Sequence, residues 1–227
     1  MHYALILLLV LSVIFGPQLW ARYTFNRYNT PLARIPGTGA ELAAHLIQRF
    51  ALEVRLEKAG PEGDHYDPRS RTVRLSPQFY DNNSLSAIAV AAHEVGHAIQ
   101  HHRQETMLET RTRLAQLALY AQKFGTLVII ALPIVTLLTR APASGFFMAA
   151  IFLLSMAMAV VVNLITLPVE LDASFGKALP ILIEGNYIDA QDLPAVRRVL
   201  RAAALTYVAA SLASLLNLWR WLAILRR

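Results

Sequence analysis

Apolar positions gather in four blocks along the chain, and between them the spacing turns helical, with one short alternating stretch. The blocks run from Tyr3 to Trp20, from Leu117 to Leu138, from Gly145 to Leu167 and from about Ala202 to Leu225. Each approaches the roughly 20 residues that a helix needs to cross a bilayer core. The first carries no Lys or Arg ahead of it and no A-x-A site after it, which argues for a retained anchor rather than a secretory leader. Trp20 and Tyr23 read as interfacial residues at its end. Only Thr139–Ser144 separates the second and third blocks, which predicts a tight transmembrane hairpin. The fourth reads as a further span, with a buried amphipathic helix as the alternative.

Two hydrophilic stretches lie between the blocks, one from Ala21 to Gln116 and one from Pro168 to Arg201. Leu42, Leu46 and Phe50 recur at helical spacing and predict a helix over Thr38–Gly60, ended by Gly60-Pro61. Asp64–Pro68 reads as a turn, and the alternation in Arg71–Ser76 as a short exposed strand. Asp81–Ser84 supplies an N-cap for a helix from Leu85 through His101. The expected organisation is an anchor over 1–21, a metal-bearing domain over 22–116, a hairpin over 117–167, a short segment over 168–201 and a hydrophobic helix over 202–227.

Composition agrees with a membrane protein: 56% of residues are apolar, 16% are charged and the mean hydropathy is +0.42. A net charge of +6 raises the question of nucleic acid, but such proteins spread their cations over a hydrated face, and this chain is too apolar for that. The cations follow topology instead. Sixteen of the 21 Lys and Arg fall in the two hydrophilic stretches, against Arg140 alone in the hairpin loop. If all four blocks span, the two stretches share one side, and the positive-inside rule makes it the cytoplasm. Arg226 and Arg227 count the other way. There is no cysteine, so disulfides, thiolate zinc sites and Cys nucleophiles are excluded. Any metal must be held by His, Asp and Glu.

The chemistry sits in His93-Glu94-Val95-Gly96-His97, an HExxH. On a helix, positions i and i+4 stand one turn apart on one face, so both imidazoles reach one metal. Glu94, about 100° round, is placed to act as general base and acid. The surrounding helix is apolar (Ala87, Ile88, Val90, Ala91, Val95, Ile99), where two His and a Glu are costly without a task. Gly96 weakens a helix interior and suits close packing beside the metal.

A third ligand must come from elsewhere. His101 lies about 12 Å along the helix from His93, too far for one metal; His101 and His102 read as a C-terminal charge pair or as substrate-side groups. The metzincin extension is missing, since Gln100 and Arg103 occupy its places. Glu170 is the better candidate: it follows the third block, where Pro168 can open a new helix, and the hairpin returns it to the side holding His93 and His97. A His2Glu set leaves one zinc position open. Asp172 points away from Glu170 on a helix and is a candidate to orient a ligand.

Gly60–Pro68 (GPEGDHYDP), Leu75-Ser76, Ser84–Gln100 (SLSAIAVAAHEVGHAIQ) and Val169–Ser174 (VELDAS) together resemble the YugP-type family of membrane-bound neutral zinc metallopeptidases, over most of the chain. The resemblance implies a gluzincin-like zinc peptidase with His93, His97 and Glu170 as ligands and Glu94 as general acid/base. It is also distantly similar to the HtpX-type membrane peptidases, which pair HExxH with a later E-x-x-x-D. Here Ser174 stands at the place of that Asp, so a carboxylate that would orient a histidine is missing.

The expected fold is therefore a mainly helical integral membrane protein: a gluzincin-like peptidase domain with a small β element, plus about four transmembrane helices. Thr72–Ser76 is a candidate edge strand for a peptide substrate, with a purely structural strand as the alternative. His65 or Tyr66 is a candidate oxyanion donor, although a simple turn explains the same residues. Expected partners are peptide or protein substrates, membrane proteins among them, and the lipid bilayer, with no nucleic acid; the expected cofactor is Zn2+. The expected location is a bacterial plasma membrane with the site on the cytoplasmic side. An intramembrane protease is the less suitable enzyme class, because the apolar run Leu85–Ala92 is too short to span. A non-catalytic membrane adaptor with a structural metal site is the alternative outside enzymes.

Overall fold

The structure is a computed structural model that describes residues 2–140 and 142–206. Helix α1 (His2–Arg27) carries the first apolar block. Helix α2 (Gly39–Arg49) opens on a reciprocal cap: Thr38 Oγ1 accepts from the Glu41 N–H, and the Glu41 carboxylate accepts from the Thr38 N–H. Two donors that a helix start leaves unpaired are thereby satisfied. The helix stops at Arg49 rather than at Gly60. Ala51 turns left-handed (φ 49°), and from Leu52 through Val54 to Leu56 the apolar spacing becomes alternating, so Arg55–Lys58 forms strand β1.

Strands β2 (His65–Asp67) and β3 (Thr72–Leu75) complete a sheet of order β1-β3-β2. β1 runs parallel to β3, with Arg55 opposite Thr72, and β2 runs antiparallel to it, with His65 opposite Arg74. The stretch expected as an exposed edge strand is thus the centre of the sheet, and Thr72, Val73 and Leu75 are buried. The expectation failed because β1, its second neighbour, was hidden in what read as the end of a helix. The edges are β1 and β2.

After the single turn α3 (Pro77–Tyr80), helix α4 (Leu85–His102) is capped by Ser84, whose hydroxyl accepts from the Ala87 N–H at 3.1 Å. Every residue from Leu85 to Gln100 is buried. Helix α2, the sheet and the segment after the hairpin surround α4, with Leu46, Val73, Leu75, Val95, Leu182 and Leu200 in the core. Burying apolar side chains of this size contributes about 1.5–3 kcal/mol each, so α4 is held by its surroundings rather than by propensity.

Helices α5 (Thr106–Thr139) and α6 (Pro142–Leu171) pack as a hairpin, with Arg140 left-handed (φ 48°) between them. Gly125 of α5 lies against Ser155 of α6, so closely that a Cβ there would stand 2.8 Å from the Ser155 Cβ. The outer faces are apolar and bare: Leu137 and Leu138 are 76% and 77% exposed, and Phe146 is 78% exposed. Such a surface requires lipid or another apolar cover. Among the described residues two helical runs, from Thr106 and from Gly145, are long and apolar enough to cross a membrane, against the four expected. Of the fourth block, the part beyond Thr206 lies outside the described residues.

Pro168 does not open a new helix. Helix α6 runs through it to Leu171 and passes directly into a π-helix over Asp172–Ala178, followed by α7 (Leu179–Glu184). Proline removes one i→i−4 bond, and the wider i→i+5 winding begins four residues later. A 3₁₀ turn, Ala190–Asp192, leads into a helix over residues 193–206. Arg34 holds Asp192 through two bonds of 3.0 and 2.7 Å, tying the loop after α1 to that turn.

Candidate metal centre

Helix α4 carries His93 and His97 one turn apart, with ring centroids separated by 4.8 Å. The last turn of α6 brings Glu170 to both of them: its Oε2 lies 3.2 Å from Nε2 of His93 and 3.2 Å from Nε2 of His97. All three residues are buried, and one ligand atom from each lies within 4.8 Å of the others. Tetrahedral bonds of about 2.0 Å separate neighbouring ligand atoms by about 3.3 Å, so the spacing fits zinc. A second observation supports the fit: Glu170 Oε1 is buried without a hydrogen-bond partner, a state that a carboxylate oxygen tolerates poorly unless a cation neutralises it.

The approach of the π-helix to α4 depends on Gly96. A Cβ at that position would lie 2.8 Å from the Ala173 carbonyl oxygen, which is backbone and cannot swing aside. The missing side chain therefore lets Glu170 and Ser174 reach the histidines from either side of Ala173.

Each imidazole has its far nitrogen held by a neutral group. Ser174 Oγ lies 3.0 Å from His93 Nδ1 and donates its own proton to the Leu200 carbonyl oxygen at 3.3 Å. With that proton committed, the hydroxyl accepts from a protonated Nδ1 and leaves the His93 Nε2 lone pair free. Gln100 Oε1 lies 2.9 Å from His97 Nδ1 and makes the same assignment. The Gln100 amide is itself fixed, since its Nε2 donates to the Val169 carbonyl at 3.0 Å and to Asp172 Oδ2 at 2.8 Å. Lys177 completes the chain, 2.8 Å from Asp172 and 3.0 Å from Glu105. Partners of this kind set ring orientation and tautomer in metal sites.

Asp172 bonds Gln100 and Lys177, and reaches His97 through Gln100. Burial alone would lower the His97 pKa, but the Glu170 carboxylate beside it raises it to about 9 in the metal-free protein. Burial pushes the Glu94 carboxyl up, while the two histidines pull it back.

The other residues singled out above lie elsewhere or have other partners. Tyr66 OH is 2.7 Å from His101 Nδ1, and burial raises its pKa to about 12. His101 and His102 line a different cavity, and burial lowers the His101 pKa. His65 Nδ1 donates to the Gly63 carbonyl at 2.9 Å, and its Nε2 faces Arg74.

His93, Glu94, His97 and Glu170 open onto a cavity of about 230 Å³, walled by Phe25, Val90 and Leu108 and reached by Asp64 and Arg111. A larger cavity of about 570 Å³ lies between α2 and the loop 186–192 and shares no lining residue with it. The chemistry, not the volume, marks the site. Gln100, Lys177, Glu105 and Arg111 escaped the sequence reading. Gln100 alone left a signal, an amide one turn beyond His97 on the same face.

Over residues 3–226 the sequence matches the family described as "Putative neutral zinc metallopeptidase". It is 36% identical over 220 residues to a Bacillus subtilis (strain 168) protein named "Putative membrane protease YugP", covering 92% of each chain. No solved structure matches it. With its His-His-Glu cluster able to hold the metal, the chain belongs to the neutral zinc metallopeptidase family, and its cofactor is zinc.

Proposed function

We propose that this protein is a membrane-held endopeptidase, with His93, His97 and Glu170 as zinc ligands and Glu94 as general base and acid. The observation that carries the reading is the convergence of one Glu170 oxygen on both Nε2 atoms, 3.2 Å from each, at the wall of a cavity that also holds Glu94. Bound zinc supplies Lewis acidity, lowering the pKa of its water to about 7 and polarising a carbonyl oxygen. Glu94 takes the proton of the attacking water and returns it to the leaving amine. Burial raises its pKa, which brings it closer to the working pH and makes it a better proton carrier. Ser174 and Gln100 keep both Nε2 lone pairs directed at the metal position. The apolar walls Phe25, Val90 and Leu108 limit the water that reaches the site.

An extended substrate has one sheet edge beside this cavity. Strand β2 contributes His65 and Tyr66 to the lining and, among the described residues, pairs with β3 alone, so its other edge can take a peptide by backbone bonds. Helices α5 and α6 hold this domain at the bilayer, with α1 as a further span. The positive-inside bias of residues 21–116 and 168–201 puts the site on the cytoplasmic side. Substrates are peptides or proteins, membrane proteins among them.

Glu94→Gln tests the mechanism. The variant is expected to keep one zinc per chain by atomic absorption and to lose at least about 10²-fold in peptide hydrolysis. Zinc-loaded Glu94→Gln protein that cleaves at the wild-type rate removes Glu94 from this role. Zinc-loaded wild type that cleaves no peptide returns the chain to the non-catalytic adaptor reading.

A further inference from the structure

Arg111, in the second turn of α5, reaches the cavity that holds His93, Glu94, His97 and Glu170. Its Nε is buried and has no hydrogen-bond partner, and no salt bridge joins it to a carboxylate among the described residues. Four other arginines are paired: Arg34 with Asp192, Arg71 with Glu53, Arg74 with Glu57, and Arg113, two residues further on, with Glu109. None of the cavity's three acids, Asp64, Glu94 and Glu170, forms an ion pair with Arg111. Glu170 lies between the two histidines, and Asp64 accepts from the Ser76 backbone and hydroxyl at 2.6 and 2.9 Å. A desolvated guanidinium N–H without an acceptor is destabilising, and the described residues supply none.

We propose that Arg111 is the anion-recognition residue of this site and pairs with a carboxylate of the peptide substrate, either an acidic side chain or the free C-terminus. This rests on the peptidase reading above. Guanidinium geometry matches a carboxylate through two parallel N–H bonds. The apolar walls Phe25, Val90 and Leu108 strengthen the pairing by excluding water. A lipid phosphate is the rival acceptor, because α5 enters the hydrophobic hairpin. Arg113, 82% exposed, has the position of a headgroup-facing cation, whereas Arg111 lines the cavity and its Nε is buried.

The experiment uses full-length, zinc-loaded protein in nanodiscs of phosphatidylcholine, with short peptides in matched pairs: Glu against Gln at each position, and free acid against amide. In wild type, one member of a Glu/Gln or acid/amide pair is expected to exceed its partner in kcat/KM by about tenfold or more. Which type of pair shows the difference identifies the source of the carboxylate. In Arg111→Gln the ratio falls toward 1, and Arg111→Lys, which keeps charge but not the fork, retains only part of it. Should Arg111→Gln fail to fold, as judged by melting temperature and zinc content, the Arg111→Lys ratio decides.

Binding gives a readout independent of turnover. Zinc-loaded Glu94→Gln protein is expected to bind the preferred acidic peptide about tenfold tighter than its neutral partner, and adding Arg111→Gln removes the difference. Wild type that cleaves none of the peptides fails the peptidase reading, while this binding comparison still decides Arg111. A wild-type ratio near 1 in both assays, or a ratio that Arg111→Gln leaves intact, overturns the proposal. So does an Arg111→Gln defect that occurs only when phosphatidylglycerol is added and is equal for both members of a pair, which assigns the residue to lipid.

Discussion

Ser174 Oγ lies 3.0 Å from His93 Nδ1 and 3.3 Å from the Leu200 carbonyl oxygen. The hydroxyl stands where the HtpX-type pattern places an Asp, and it does by hydrogen-bond direction what a carboxylate does by charge. Ser174→Ala leaves the His93 Nδ1–H without an acceptor in a buried site. Zinc affinity is expected to fall by about 10–100-fold, measured by competition with a chelator. Unchanged affinity would mean that the helix alone orients the ring.

The chain from His97 through Gln100 to Asp172 and Lys177 predicts a graded series. Gln100→Leu removes both the acceptor for His97 and the two bonds that fix Asp172 and Val169, and zinc affinity is expected to fall by about 10–100-fold. Lys177→Met, one step further out, is expected to cost less. Equal losses for the two would contradict the order of the network.

Gly96 is where α4 and the π-helix meet. Gly96→Ala sets a Cβ 2.8 Å from the Ala173 carbonyl oxygen unless the segments part. A destabilisation of about 1–3 kcal/mol is expected, as for other overpacked contacts, together with weaker zinc binding because Glu170 moves with Ala173. Thermal unfolding with and without zinc separates the two effects; a variant as stable as wild type would show that the helices separate freely.

In the metal-free protein the His97 pKa is raised to about 9, above its unfolded value of about 6.5. The charged imidazole therefore contributes stability that is complete below about 6.5 and lost as pH rises through about 9. Metal-free protein is expected to melt at lower temperature at pH 10 than at pH 7. Zinc needs the neutral ring, so binding at pH 7 releases a proton, and its calorimetric heat should vary with the ionisation enthalpy of the buffer. A buffer-independent heat would contradict the raised pKa.

Orientation is open to direct labelling, because the chain has no cysteine of its own. Arg140→Cys in the hairpin turn is expected to react with an impermeant maleimide in intact cells. Glu62→Cys, at a side chain 81% exposed, is expected to react only after permeabilisation. The reverse pattern would put the site outside the cell.

Much of the site was readable along the chain because its signals are local. HExxH and the Ser84 cap lie within one helix, so helical geometry alone places His93 and His97 together. The sheet was harder. β1 occupies Arg55–Lys58, just past a good amphipathic helix, and only the left-handed turn at Ala51 separates the two. Without β1, β3 could only look like an edge. Pro168 misled in a similar way, since its preference for a first turn is weaker than the continuity of a long apolar helix that tolerates the lost bond.

By itself the sequence determined two long apolar segments joined by a short turn, a chain without cysteine, and two histidines on one helix face, because periodicity, length and residue chemistry are local properties. Only the tertiary structure decided what each candidate ligand meets. Ser174 and Leu200 act on His93, and Gln100, Asp172 and Lys177 act on His97, from segments about 70 or more residues away in most cases. Arg111 likewise comes to line the cavity, without a partner among the described residues, only when α5 is packed there. No sequence period records which distant segment meets a given side chain; packing settles that, here through the space left at Gly96.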